Sequence, residues 1–144
     1  MEDRLLEDYK KAMKENNEIE KATIQFLRAM ILKERKEKQR PLTDEEIEKI
    51  ILSERKKRSE ALGLFEKANR KDMMEKTYKE LACINRYLPK PMLDEEIEQG
   101  LKDIIAVEGN TKNNFGKIMG IAKAKFGTRA DGGTISKILN TLLV

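Results

Sequence analysis

The sequence predicts an all-α protein. Its apolar residues recur with a period close to 3.6 along the whole chain, and no segment alternates polar and apolar residues over the length of a strand. Charged residues make up 39% of the chain and aromatic residues only 5%, so the core must consist mainly of Leu, Ile, Met and Ala. Breaks rich in Pro, Gly and Asn divide the periodic segments into seven predicted helices.

The first two helices follow from apolar series near the start of the chain. The first series covers residues 5–13 and ends near Asn16 and Asn17. The second begins at Ile19, includes Phe26 on its apolar side, and continues into the basic residues 33–40. Pro41 then separates the second helix from the third.

The third helix has the clearest start signal. Thr43 and Glu46 have the spacing of a capping box, in which each side chain accepts the backbone N–H group of the other residue. An apolar stripe then runs from Ile47 to Phe65, and the helix is expected to end near residue 68. Asn69 follows, at a position that suits a left-handed C-terminal cap.

The fourth helix is expected to begin near Asp72 and to stop at Leu88, because Pro89 follows. Its predicted apolar side carries Met74, Tyr78, Leu81, Ile84 and Leu88. Cys83 lies opposite that side, so we expect it at the surface or at a secondary interface.

Pro89 and Pro91 mark the clearest boundary in the chain, because two prolines within three residues prevent a helix from continuing. We therefore predict an N-terminal four-helix lobe over residues 1–88, a linker over 89–93 and a three-helix domain over 94–144. Asp94 is expected to cap the fifth helix, and residues 115–126 form the sixth. The seventh follows the Asp131-Gly132-Gly133 turn.

Several classes of function are excluded by residues that are missing. The chain has no His and one Cys, so it has no Ser-His-Asp triad, no His metal ligand and no internal disulfide. We expect no catalytic residues, no cofactor and no metal. No stretch approaches the ~20 apolar residues that span a bilayer, and the acidic N-terminal sequence is unlike a signal peptide. These features favour a cytoplasmic protein without membrane contact.

Charge is unevenly distributed along the sequence. Residues 1–108 carry 24 basic and 25 acidic side chains, whereas residues 109–144 carry six basic side chains and one acidic one. This asymmetry favours an anionic partner for the last 36 residues. The residues that we expect to contact this anionic partner are Lys112, Lys117, Lys123, Arg129, Gly132, Gly133 and Lys137.

Two local patterns accompany these cations. Gly116, Gly120 and Ala124 form a ridge of small residues along the sixth helix, which could admit either a neighbouring helix or a sugar-phosphate chain. Two glycines after Asp131 leave backbone N–H groups uncovered at the start of the seventh helix, where a phosphate could bind. Against this, an Asp cap would use some of those donors and adds a negative charge.

Glu54 and Arg58 fall within the apolar stripe of the third helix, four residues apart and with the acid first, the order that favours an ion pair. Two interpretations stay open. The pair could be structural and fix how the lobe packs, or it could form a polar site in a groove between helices.

Seven segments, in this order and spacing, resemble the YqeY family, whose members are stand-alone proteins related to the C-terminal domain of the GatB subunit of tRNA-dependent amidotransferases. The segments are Leu42–Glu46, Glu54–Arg58, Phe65–Asp72, Tyr87–Lys90, Leu93–Ile97, Gly116–Gly120 and Arg129–Gly132. The resemblance covers nearly the whole chain. It departs from the family pattern at Arg55, Asn69 and Thr128.

The resemblance implies a helical N-terminal lobe, a three-helix GatB/YqeY-like domain and an association with tRNA. It supplies no catalytic residues. The resulting prediction is a non-catalytic accessory protein that binds RNA, specifically tRNA, alongside a protein of the aminoacyl-tRNA or amidotransferase machinery. A helical protein-interaction adaptor is the alternative. A component of a carbon–nitrogen ligase with glutamine as amido donor is a third.

Overall fold

The computed structural model describes residues 1–144 and contains seven α-helices and no strand, so the predicted all-α class is confirmed. Short 3₁₀ turns precede and follow α6. None of the helices is both long and apolar enough to cross a membrane. The helices are α1 Glu2–Lys14, α2 Glu18–Lys38, α3 Asp44–Lys67, α4 Lys71–Asn85, α5 Asp94–Glu108, α6 Phe115–Phe126 and α7 Gly132–Leu142.

The backbone contacts divide the chain into two compact units, an N-terminal unit over Met1–Leu88 and a C-terminal unit over Pro89–Val144. Helices α1–α4 pack around the core of the first unit. At one end of it, the Tyr87 hydroxyl donates to the Asp8 carboxylate, and the Arg4 guanidinium donates to the Arg86 carbonyl over 2.7 Å. The core residues are Leu5, Ile24, Leu27, Ile31, Ile47, Ile51, Cys83, Ile84 and Tyr87.

The predicted start and end of α3 are confirmed. Glu46 N–H donates to Thr43 Oγ1 over 3.2 Å, and Thr43 N–H donates to Glu46 Oε1 over 3.0 Å. Asn69 has a φ of 55°, the left-handed conformation that the sequence predicts after this helix.

The predicted surface position of Cys83 is wrong, because only 2% of this residue is exposed and it belongs to the core. Tyr78, predicted on the apolar side of α4, is 51% exposed. Both α2 and α3 pack against α4. The buried side of α4 is therefore centred on a different part of the helix from the side that its apolar series predicts. The same helix ends at Asn85, three residues before the predicted stop at Leu88.

Two other predicted apolar faces are only partly covered. Phe26 on α2 is 46% exposed. On α3 the buried residues are Ile47, Ile51 and Glu54, all in the first half of the helix, whereas Phe65 near its end is only half-buried. The predicted stripe therefore continues beyond the core that it was expected to cover.

The C-terminal unit has its own core between α5, α6 and α7, and the predicted bounds of α6 are confirmed. Asp94 does not cap α5 as predicted: Leu93 occupies the cap position, and its N–H donates to Glu96 Oε1 over 3.3 Å. Residues of the predicted linker contact this unit, since Met92 N–H donates to the Arg129 carbonyl over 2.9 Å. The core residues are Ile97, Leu101, Ile104, Ile118, Ala122, Phe126, Ile135, Leu139 and Leu143.

Candidate nucleic-acid interface

Acidic and basic residues of the C-terminal unit lie in different segments of its sequence. Helix α5 carries six acidic side chains and one Lys, whereas residues 109–144 carry six basic side chains and one acidic one. Over residues 89–144 these nearly cancel, with eight basic and seven acidic side chains. Any preference of this unit for an anion must therefore come from the arrangement of charge on its surface and not from its net charge.

The small-residue ridge of α6 lies on the solvent side of the helix. Gly116, Gly120 and Ala124 are all exposed, and a β-carbon placed on either glycine would meet nothing within 4 Å. No helix of the C-terminal unit packs on the ridge, so the first of its two predicted uses is not realised within this unit. The ridge is an uncovered strip of helix backbone, flanked by Lys117 and Lys123.

The start of α7 lies beside one of these lysines. A β-carbon placed on Gly132 would lie 3.4 Å from Cε and 3.8 Å from Nζ of Lys123. Asp131 occupies the predicted cap position, but its side chain accepts no hydrogen bond from a backbone N–H group. Asp131 Oδ2 accepts a hydrogen bond from the Thr134 hydroxyl over 3.5 Å. The same oxygen would lie 3.2 Å from a β-carbon placed on Gly133. The first-turn N–H groups and the Lys123 ammonium thus lie close together, with one carboxylate alongside.

The other predicted cations lie in more varied surroundings. Lys112 is exposed in the 3₁₀ turn before α6 and makes no ion pair. Lys117 pairs with Glu108 over 2.7 Å. The Arg129 Nε–H group donates to the Lys90 carbonyl over 2.9 Å, and its guanidinium is 3.7 Å from a Glu96 carboxylate oxygen.

Lys137 lines a shallow cleft with three acids of α5, Asp94, Glu95 and Glu98. The sequence alone does not distinguish these cations from one another. The structure pairs Lys117 and Arg129 with carboxylates, whereas Lys112, Lys123 and Lys137 make no ion pair, although Lys137 lines a cleft with acids. Lys125 is also free of ion pairs, but it lines the cleft that contains Glu95, Glu96 and Asp103.

In the N-terminal unit, Glu54 and Arg58 form an ion pair of 2.9 Å between Oε1 and Nε, and only 6% of Glu54 is exposed. Arg58 also pairs with Glu80 of α4, and its guanidinium lies 5.4 Å from the centre of the Phe26 ring. This geometry suits the structural interpretation of the pair. Glu80 and Phe26 were missed because they come from other helices, and no spacing within α3 could identify them.

Cys83 offers no reactive thiol. Burial raises the pKa of the Cys83 thiol, and the Arg86 guanidinium 3.6 Å away only partly opposes that shift, so the thiol stays protonated at neutral pH. No group of three or more Cys, Asp or Glu side chains is placed to hold a metal ion.

Comparison with known proteins gives one finding on identity. The family model described as Yqey-like protein matches residues 2–143, which is nearly the whole chain. A search of curated proteins returns no match. The sequence segments that resemble this family are spread over both units, in keeping with a match of that length. On this evidence the chain belongs to the YqeY family.

Proposed function

We propose that the chain is a non-catalytic accessory RNA-binding protein of the cytoplasm, and that its ligand is tRNA. The C-terminal unit would act as a GatB-like tRNA-contacting domain, joined to the N-terminal helices through residues 89–93. The observation that carries the proposal is the exposed ridge of α6, which contains no acidic residue, together with Lys123 beside the start of α7.

This surface suits a sugar-phosphate backbone for physical reasons. Phosphate oxygens can accept hydrogen bonds from the Lys123 ammonium and from backbone N–H groups at the start of α7. The bare glycines of the ridge allow a ribose to approach the helix more closely than any larger side chain would. Lys112 extends the positive charge toward the start of α6, where Lys117 adds a cation that Glu108 partly neutralises.

The contacts would read the shape of the RNA and not its sequence. The chain contains four Phe, three Tyr and no Trp, and the only aromatic residues on α6 are the half-buried Phe115 and the buried Phe126. Base stacking on this surface is therefore limited, and phosphate and 2′-hydroxyl contacts remain.

Fluorescence anisotropy with labelled tRNA, repeated at several salt concentrations, tests the proposal. Four phosphate contacts would give a log–log salt slope of roughly −3 to −4. Lys123→Gln should weaken binding about three- to tenfold and make the slope shallower by about one. Lys125→Gln is the matched control, because Lys125 is on the same helix but faces the acidic cleft.

Salt-independent binding, no binding at low salt, or equal losses in the two variants would contradict this role for the α6 surface. Glutamine-dependent amidation of Glu-tRNA by the purified chain alone would instead identify a ligase component. A different observation, the exposed apolar side chains of the N-terminal unit such as Leu64, favours the alternative of a protein-interaction adaptor.

A further inference from the structure

The C-terminal part of α3 and the N-terminal part of α4 extend beyond the core of the N-terminal unit. We call residues 55–79 the α3–α4 tip. Both helices remain regular there, yet no residue between 55 and 76 is buried. Beyond their contact with α2 at Arg58 and Lys76, the two helices leave part of their apolar faces in water, a situation that a further helix usually relieves.

The tip carries a set of large apolar side chains that the core does not use. Leu64 is 66% exposed and Tyr78 is 51% exposed. None of the set belongs to the core cluster or packs against it. The remaining members, all only half-buried, are Leu62, Phe65, Met73 and Met74.

The tip is also strongly basic, with nine Lys or Arg residues and four Asp or Glu residues. Two of the cations are in ion pairs at the surface, Arg70 with Asp72 over 3.4 Å and Lys79 with Glu75 over 3.6 Å. Five lysines of the tip make no ion pair or hydrogen bond: Lys56, Lys57, Lys67, Lys71 and Lys76. Charge counted along the sequence does not reveal this cluster, because acidic residues elsewhere in residues 1–108 cancel it.

A cleft marks the base of the tip, where the start of α2 meets α3 and α4. Ile19, Phe26 and Lys76 line it, together with Arg58 and Glu80 of the ion-pair cluster. Arg58, Ala61 and Phe65 continue the core-facing side of α3 at helical spacing. These residues connect the cleft with the apolar side chains near the end of α3, of which Phe65 is only half-buried.

We propose that the α3–α4 tip docks an acidic amphipathic helix of a partner protein. The leucine, phenylalanine and methionine side chains would bury the apolar face of that helix, and the unpaired lysines would meet its carboxylates. RNA is disfavoured as the occupant because phosphate contacts make no use of such an apolar surface. A second copy of the chain is disfavoured because two tips, each with five more basic than acidic residues, would repel each other.

The test uses the full chain and a synthetic 18-residue peptide carrying a fluorophore. The peptide has leucines at helical i, i+3 and i+4 spacing and glutamates on the opposite face. One control peptide replaces every glutamate with lysine, and a second has the same composition with the leucines scattered around the helix. We expect the acidic amphipathic peptide to bind at least tenfold more tightly than either control.

Two protein variants locate the binding surface. Leu64→Asp should weaken peptide binding at least tenfold, and the double variant Lys57→Glu/Lys76→Glu should do the same and reduce the salt dependence. Leu64 lies seven residues after Lys57, so both side chains are on one side of α3. Val107→Asp is the matched control, because Val107 is 83% exposed on α5, and it should change the affinity less than twofold.

Several results would overturn the proposal. These are equal binding of the acidic and basic peptides, no loss in Leu64→Asp, or equal losses in Leu64→Asp and Val107→Asp. A lysine double variant that loses tRNA affinity but keeps peptide affinity would assign the tip to RNA. A wild-type dimer that Leu64→Asp dissociates would assign it to a second copy. Circular dichroism confirms that each variant is folded, and these outcomes do not depend on the α6 surface.

Discussion

Replacing Gly120 with alanine tests whether the ridge of α6 is both exposed and functional. A glycine inside a helix destabilises it by about 1 kcal/mol relative to alanine. The new methyl group would meet no atom within 4 Å, so no steric penalty offsets this gain. We therefore expect the free energy of unfolding of the C-terminal unit to rise by about 1 kcal/mol, which corresponds to roughly 4–8 °C in melting temperature for a small domain.

The same methyl group should weaken tRNA binding several-fold, because it would hold a ribose or phosphate away from the helix backbone. Gly63→Ala is the matched control: Gly63 is inside α3, a β-carbon there also meets nothing within 4 Å, and it is not on the ridge. It should stabilise the N-terminal unit similarly and leave tRNA binding unchanged.

Urea unfolding followed by circular dichroism measures the stability, and anisotropy of labelled tRNA measures the binding. Destabilisation by Gly120→Ala would refute the reasoning on the exposed ridge, since it would mean that something packs there. A stabilised variant with unchanged tRNA affinity would remove the ridge from the proposed interface and leave only the lysines in it.

Three further predictions concern stability. Arg58→Met should cost about 3–5 kcal/mol in urea unfolding, because it leaves two largely buried carboxylates without their cation; a loss below about 1 kcal/mol would contradict a structural role. Hydrogen bonds to Glu46, mainly from Arg40, hold the pKa of its carboxyl group below the usual value of 4.5. This stabilisation is present at neutral pH and is lost as the pH falls below about 4.5. The free energy of unfolding of Glu46→Gln should therefore fall less than that of the wild type between pH 5 and 2, and equal losses would contradict the ion pair. Gly100→Ala places a β-carbon 2.6 Å from Phe126 Cε1 and should lower the free energy of unfolding by about 1–3 kcal/mol, whereas an unchanged melting temperature would show that the ring can move aside.

The sequence predicts those features of the fold that depend on neighbours along the chain. The capping box of Thr43 and Glu46 and the left-handed Asn69 are examples, because each involves residues within a few positions of one another. The buried position of Cys83 could not be predicted in this way. Which side of α4 is buried depends on where α2 and α3 lie, and the apolar series of α4 alone points to a different side.

For the candidate sites, too, the sequence predicts only what depends on residues close together in the chain. Periodicity places Glu54 and Arg58 on one side of α3, but only the folded unit adds Glu80 and Phe26 to them. The spacing of Gly116 and Gly120 predicts a ridge, but whether a neighbour covers it depends on the packing of the whole unit. Likewise, the sequence identifies Lys117 and Arg129 as cations without revealing that carboxylates of α5 lie beside them.

Charge shows most clearly why position in the fold matters more than position in the sequence. Counted along the chain, all of the positive excess falls in residues 109–144; counted by unit, the N-terminal unit carries 22 basic and 19 acidic side chains and the C-terminal unit eight and seven. Each unit therefore carries cations that its net charge does not reveal, and net charge alone does not distinguish the partners that we propose for them. Their other side chains do. The α6 surface combines its cations with bare glycines, which suits a phosphate backbone, whereas the α3–α4 tip combines its cations with the exposed Leu64 and half-buried apolar neighbours, which suits the apolar face of a helix. Because the two surfaces belong to different units, a variant of one should leave binding at the other unchanged.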